Sequence, residues 1–272
     1  MIKSLTPEPL KTPIRQGRSL WLKYRYRKNG VPGILGGESF RFKLGYQPPG
    51  QVAGKFWEDD RLFQLAFREA IHPGHTVLDL GAFVGYYTLL AARRTGAKGR
   101  VIAIEPAPVT YRILIEHLVL NDLFQNVDVW PLAAGEKNGS VKIYFQEHDP
   151  VRGHNSINPL AFSQKGLTEN LVSRTVPSIP LGSFLEAMEV KPDVIKIDIE
   201  GAEIGVLQSL INVLKGEAVV FCELHPHLWQ EPETQSVLLR TLLMETHRYP
   251  ENLRGEPTHI FQHEPVIFKK KN

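Results

Sequence analysis

Residues 76–87 read TVLDLGAFVGYY. An apolar run of strand length, 76–81 with its closing glycine, meets a second glycine four residues on, and GYYTLLAARRTG then continues as a helix up to Gly96. Gly81 and Gly85 let the chain turn tightly and let a ligand approach the backbone. The stretch is not the dinucleotide fingerprint, because GxGxxG needs a glycine at 83 and Phe83 stands there. Asp79 sits in an otherwise apolar strand, where a buried carboxylate calls for a partner. A ligand ammonium would serve, and so would backbone amides of the turn.

Outward from this turn, strand and helix alternate. Phe63, Ala66, Phe67 and Ala70 fall at i, i+3, i+4 and i+7, predicting an amphipathic helix from about residue 57, with Asp59 and Asp60 near its start as caps. VIAIE (101–105) reads as a strand, and Pro108 opens a helix whose Tyr111, Leu114, Ile115 and Leu118 share a face. Strands are predicted at 127–130, 140–145, near 171–179, 193–198 and 218–224. Helices are predicted after 180, from 201 to about Leu214, and at 232–245, before a last strand at 259–268. ESFRFKLGY (38–46) alternates as a further strand. The pattern predicts an α/β chain: a doubly wound, mostly parallel sheet with helices on both faces. Ligands of such sheets lie beyond the C-terminal ends of the strands.

Composition agrees with a folded globular chain of 272 residues, 42% apolar and 22% charged. No apolar run approaches the ~20 residues of a membrane helix. Cys222 is the only cysteine, which excludes intrachain disulfides and a cysteine-based zinc site. A reducing, cytoplasmic setting is expected. Residues 1–55 hold eleven Lys/Arg and two Glu, while the remainder holds 21 basic and 27 acidic residues. The sequence thus divides into a basic arm, 1–55, and a body, 56–272. Trp21, Tyr24 and Tyr26 interleave the arm's basic residues, a mix that suits an anionic surface or a solvated segment. The stretch 146–170, with His148, His154 and Asn155, is expected to be a long loop covering an acceptor.

Three further strand ends carry charge. Glu105, followed by Pro106, stands 26 residues after Asp79, where a carboxylate commonly grips ribose hydroxyls. Asp79 and Glu105 together ask for a nucleoside with a cationic tail and no diphosphate, and S-adenosylmethionine has those parts. In IKIDIEGAE (195–203), Lys196, Asp198 and Glu200 alternate with isoleucines in what reads as a central strand, which should be apolar on both faces. Glu203 reads as a residue favouring the next helix's dipole. In VVFCELH (219–225), Glu223 and His225 share a face, and His225, with an ordinary pKa near neutrality, reads as a general base oriented by Glu223 or Asp198, a neighbouring carboxylate being the alternative base.

Together VLDLGAFVGYYT, VIAIEPAPVTY, Asn121, LAAG, IKIDIEGAE and CELH resemble the FkbM-type family of class I S-adenosylmethionine-dependent methyltransferases, over roughly residues 57–225. Phe83 departs from the asparagine expected there. The resemblance implies a seven-stranded Rossmann-like sheet with a reversed last hairpin. It implies a cofactor site of Asp79, Gly81, Ala82, Phe83, Gly85, Tyr86, Tyr87, Glu105, Pro106, Ala133, Ala134 and Asp198. It also implies that Asp198, Glu200, Glu223 and His225 gather beside the reactive methyl. The implied reaction is O-methylation of a hydroxyl on a sugar or secondary metabolite, releasing S-adenosylhomocysteine.

No metal site is assigned, although Asp198 and Glu223 would suit a divalent cation that lowers the hydroxyl's pKa. The expected partner is a small-molecule or glycan acceptor. Nucleic-acid methylation is the alternative that the basic arm suggests, but no Asn/Asp-Pro-Pro-aromatic tetrapeptide follows the IKID strand. A non-catalytic binding module is the other alternative.

Overall fold

A computed structural model describes residues 30–46, 48, 56–146, 156, 159, 162, 171–258 and 265–271. Trp21, Tyr24, Tyr26, His148, His154, Asn155 and most of the basic arm and covering loop lie outside these residues. The chain divides into two compact units, Met1–Pro131 and Leu132–Asn272.

The first unit opens with a hairpin of β1 (Gly30–Leu35) and β2 (Glu38–Lys43). Its two-residue turn, Gly36–Gly37, has φ of 56° and 79°, the left-handed pair that matches the strands' twist. There follow α1 (Phe56–Ala70), β3 (Thr76–Leu80), α2 (Tyr86–Thr95), β4 (Arg100–Ile104), α3 (Pro108–Leu120) and β5 (Val127–Trp130). The three strands β3, β4 and β5 run parallel and in register, Thr76 opposite Arg100 and Val101 opposite Val127. Their side chains are buried almost throughout, as parallel strands covered on both faces require. Asp128 is tolerated inside β5 because the Arg100 guanidinium pairs with it at 2.7–2.8 Å. Asn121 pins the hairpin to the end of α3: its amide bonds both the N–H and the carbonyl of Arg41, at 2.8 and 2.7 Å. The expected caps of α1 need correction. The helix begins at Phe56, so Asp60 lies in its second turn, where it accepts from Gln64 Nε2 and the Tyr87 hydroxyl instead.

The second unit contains a three-stranded sheet, order β6-β8-β7, made of β6 (Ala133–Gly135), β7 (Gly139–Gln146) and β8 (Leu171–Pro180). After it come α4 (Leu181–Ala187), β9 (Val194–Ile197), α5 (Glu203–Ser209), α6 (Ile211–Leu214), β10 (Val219–Glu223), a single 3₁₀ turn (Pro226–Leu228), α7 (Pro232–Glu245), β11 (Arg248–Glu251) and β12 (Pro265–Lys270). Strands β9 and β10 are parallel, whereas β12 runs antiparallel to both β10 and β11. The reversed last hairpin is therefore present.

Strands β3, β4 and β5 are neighbours in the first unit, and β11, β12, β10 and β9 lie in that order in the second. The α/β expectation holds. Three strands escaped the sequence pattern, and the first is β1, whose GVPGIL carries two glycines and a proline. Strand β6 is only three residues long. Strand β11 contains Pro250 and is held by buried Arg248, whose guanidinium donates to the carbonyls of Leu214, Ala218, Phe268 and Gly216 at 2.6–3.0 Å. The single long helix expected after 201 is split at Leu210 into α5 and α6.

Candidate active site

In the first unit, the turn after β3 is built by positive-φ residues: Gly81 (71°), Phe83 (54°) and Gly85 (93°). The N–H groups of Gly81 and Ala82 both donate to the Ile104 carbonyl at 3.0 Å, which ties the turn to the end of β4. At Gly85 a Cβ would meet the Leu114 side chain at 3.0 Å, so α3 packs where only glycine leaves room. Glu105, 2% exposed, is the centre of this region. Its Oε2 accepts from the Phe83 N–H at 2.8 Å. Its Oε1 accepts from the Ala107 N–H at 2.9 Å and the Thr110 hydroxyl at 2.7 Å. A carboxylate offers about four acceptor sites, and here most of them serve the fold itself.

Asp79 is fully buried and accepts from the Thr88 hydroxyl at 2.5 Å. It braces the start of α2 from beneath the turn. Tyr86 donates its hydroxyl to the Tyr46 carbonyl at 3.1 Å, and Tyr87 packs edge-on against Phe63 and Phe67. Both rings have protein partners, so what Tyr86 and Tyr87 offer a ligand is their place in the first turn of α2. Pro106 is half-buried next to Glu105. Phe83 stands at the position that the GxGxxG fingerprint gives to glycine.

In the second unit, β9 stops at Ile197 and β10 at Glu223. The expected alternation of faces therefore does not extend to Asp198, Glu200 and His225, which lie just beyond the strand ends. Glu200 has φ 51° and Gly201 φ 101°, a reversal that swings the chain into α5. A Cβ on Gly201 would lie 2.9 Å from Leu228 Cβ, so this turn needs glycine for space as well as for its dihedral. The reversal still gathers the expected group: His225 Nε2 lies 4.0 Å from Asp198 Oδ1, 3.9 Å from Glu200 Oε2 and 4.0 Å from Glu223 Oε1.

The other ring nitrogen has a partner that the sequence did not reveal. His225 Nδ1 is 2.8 Å from Glu203 Oε1, and the Trp229 indole N–H donates to Glu203 Oε2 at 3.0 Å. Glu203, read from sequence as a helix-dipole residue, is instead fully buried at the centre of this network. The available signal was positional: Trp229 follows His225 by four residues, and Glu203 opens the helix after the glycine turn.

Lys196, buried, approaches Asp198 Oδ2 at 3.5 Å. Burial, with the Glu223 and Glu200 charges, raises the Asp198 carboxyl against the pull of Lys196 and His225. For His225, burial alone would lower the pKa. The Glu203 hydrogen bond and the charges of Asp198, Glu203 and Glu200 outweigh it and push the imidazole up to about 9. Asp198, Glu200 and His225 also present ligand atoms within 4.8 Å of one another, a spacing that would admit a cation. A cavity of ≈ 590 Å³ in this unit is lined by Gly201, Ala202, Leu228, Ser178, Gln230 and Gln235, among others. Ala134 lines it too, while Ala133 is buried in β6 opposite Ser178.

The sequence profile of the methyltransferase FkbM domain matches residues 79–251. A hexuronic acid methyltransferase of Haloferax volcanii, AglP, is 31% identical over 148 residues, 54% of this chain and 54% of that protein. A ribosomal RNA large subunit methyltransferase E of Sorangium cellulosum is 39% identical over 62 residues, 23% of this chain and 27% of its own length. The methyltransferase sdnD of Sordaria araneosa is 25% identical over 159 residues, 49% of this chain and 60% of that protein. The chain therefore spans about a quarter to three fifths of the relatives it matches.

Proposed function

The chain belongs to the methyltransferase FkbM domain family, and we propose that it transfers a methyl group from S-adenosylmethionine to a hydroxyl of a sugar-like acceptor, with His225 as the base. The observation that carries this reading is the placing of His225. Its Nδ1 is bound to Glu203 at 2.8 Å, while Nε2 faces the carboxylates of Asp198, Glu200 and Glu223 at 3.9–4.0 Å. Those distances are too long for direct hydrogen bonds and leave room for a hydroxyl oxygen among them.

S-adenosylmethionine supplies a methyl carbon on a sulfonium leaving group. The protein's own residues then have two tasks. In the first unit, Glu105 accepts a ribose hydroxyl beside its bonds to the turn, and Gly81 to Tyr87 supply backbone to the rest of the nucleoside, with Asp79 holding the turn. In the second unit, Asp198, Glu200 and Glu223 orient the acceptor hydroxyl, and neutral His225 Nε2 takes its proton as the oxygen attacks. Alignment supplies much of the rate in such displacements, and proton removal typically contributes another 10²–10⁴-fold. Similarity to the hexuronic acid methyltransferase supports a glycan acceptor, and the amide and hydroxyl groups around the cavity suit one.

The test is transfer of radiolabelled methyl to D-glucuronic acid and to a panel of hydroxylated metabolites, with His225→Ala beside the parent chain. Turnover by the variant is expected to drop by about two orders of magnitude or more, with unchanged affinity for S-adenosylhomocysteine. Full turnover by the variant would remove His225 from the chemistry. Labelling of RNA instead of hydroxylated small molecules would move the acceptor to nucleic acid.

A further inference from the structure

We infer that Glu203 is a positioning residue for His225: by taking the Nδ1 proton into a buried hydrogen bond it leaves Nε2 as the nitrogen that receives the acceptor's proton. The inference rests on the reading of His225 as the base. Three donors converge on the Glu203 carboxylate. The Gly201 N–H reaches Oε1 at 2.8 Å, His225 Nδ1 reaches the same oxygen at 2.8 Å, and the Trp229 indole reaches Oε2 at 3.0 Å. The carboxylate has no exposed surface, and a buried carboxylate is retained only where its acceptor sites are met in this way.

The three donors come from three different places in the chain: the glycine turn, the end of β10, and the residue after the 3₁₀ turn. Glu203 itself is the first residue of α5. Its carboxylate is thus held by one backbone N–H and two ring nitrogens, and the imidazole ring is oriented through it. An imidazole that donates from Nδ1 must accept at Nε2 when neutral. During transfer the hydroxyl proton passes to Nε2, the oxygen lone pair forms the new bond to carbon, and the pair of the broken carbon–sulfur bond stays on sulfur. The imidazolium formed is then paired with Glu203. The carboxylate needs no proton at any point, as in hydrolase triads where the carboxylate orients the histidine.

The groups that face His225 are Asp198, Glu200, Glu203 and Glu223, with His227 at 5.9 Å between ring centroids and Lys196 behind Asp198. Of these four carboxylates, Glu203 is the one that touches Nδ1. It therefore sets the tautomer, while the others act on Nε2.

The decisive measurement is ¹⁵N NMR of the full chain labelled at histidine, followed across pH, which needs no acceptor. In the parent chain above pH 9, His225 should carry its proton on Nδ1. In Glu203→Gln the pure Nδ1–H tautomer should be lost and the titration midpoint should move to lower pH. With D-glucuronic acid as acceptor, kcat should fall by about 100-fold or more, while affinity for S-adenosylhomocysteine stays within twofold. Trp229→Phe keeps the ring's packing and removes one donor to Glu203. It should shift the midpoint in the opposite direction, upward, because the carboxylate gains basicity. An unchanged tautomer and midpoint in either variant would overturn the positioning role. His225→Gln separates this from the assignment of the base itself. If that variant is inactive while Glu203→Gln turns over normally, the base survives and the positioning role falls. If His225→Gln turns over normally, the base reading falls.

Discussion

The backbone N–H of Phe83 lies 2.8 Å from Glu105 Oε2, so the carboxylate expected to grip a ribose also holds the one non-glycine residue of the turn that has positive φ. Cofactor affinity and loop order are therefore coupled through one side chain. Glu105→Ala removes the acceptor of Phe83 and also those of Ala107 and Thr110. Binding of S-adenosylhomocysteine, measured by calorimetry, should weaken at least tenfold, and Tm should fall by several degrees. Loss of affinity with an unchanged Tm would mean that Glu105 serves the ligand alone.

Phe83 itself is strained at φ 54°. A bulky L-residue in this region costs about 1–2 kcal/mol, and asparagine tolerates it better. Phe83→Asn gives up an edge contact with Tyr86, whose ring centroid is 6.4 Å away. We expect the gain to exceed that loss, raising Tm by a degree or more. Phe83→Val, β-branched at the same φ, should lower it. The opposite order in a melting experiment would show that the Tyr86 contact dominates.

The two units differ in how far a linear reading reaches. Strands β3, β4, β5 and β10 and helix α7 are legible because apolar period and length agree, and Val127–Trp130 and Pro232–Glu245 match to the residue. The cluster at His225 does not follow from strand alternation. Alternation fails after Ile197, and Glu200 at φ 51° and Gly201 at φ 101° do the gathering. A reversal of this kind leaves no periodic trace. Glu203 and Trp229 are 26 residues apart, and their bond is a product of tertiary packing. The same holds for His117, whose partner Val84 lies 33 residues earlier.

Acid should weaken the first unit through His117. This imidazole is fully buried, donates from Nδ1 to the Val84 carbonyl at 2.7 Å, and stands edge-on to Phe42. Burial, aided by the Lys43 charge and opposed by the Val84 bond, brings its pKa down to about 4. Between pH 6.5 and 4 the unfolded chain binds a proton that the folded chain does not. The contribution is full above 6.5 and is lost as pH falls, on the order of 3 kcal/mol by pH 4. His117→Gln can still donate to Val84 and does not titrate here. Urea unfolding should show a smaller drop from pH 7 to 4 in that variant than in the parent. Parallel curves would locate the acid sensitivity elsewhere.

For His225 the sign is reversed. Its folded pKa of about 9 lies above the unfolded value, so its contribution to stability is present below pH 6.5 and is lost as pH rises through 9. Turnover should run the other way, because only neutral Nε2 can take a proton. In the ligand-free enzyme kcat/KM should rise about tenfold per pH unit below 9 and level above it. A profile already flat at pH 7 would show that the base is another group.

Chelation supplies the last test. Asp198, Glu200 and His225 could in spacing hold a divalent cation, which would occupy Nε2 and take it out of proton transfer. The cluster has cations of its own: the Lys196 ammonium lies 3.5 Å from Asp198 Oδ2, and His225 is protonated below pH 9. A hydroxyl that is deprotonated by Nε2 needs no further Lewis acid. Dialysis against EDTA should therefore leave turnover within twofold, and added magnesium or manganese should not raise it. A collapse in EDTA that manganese restores would make the trio a metal centre, and the rate would then follow the pKa of a metal-bound hydroxyl, with Glu203 orienting a ligand in place of a base.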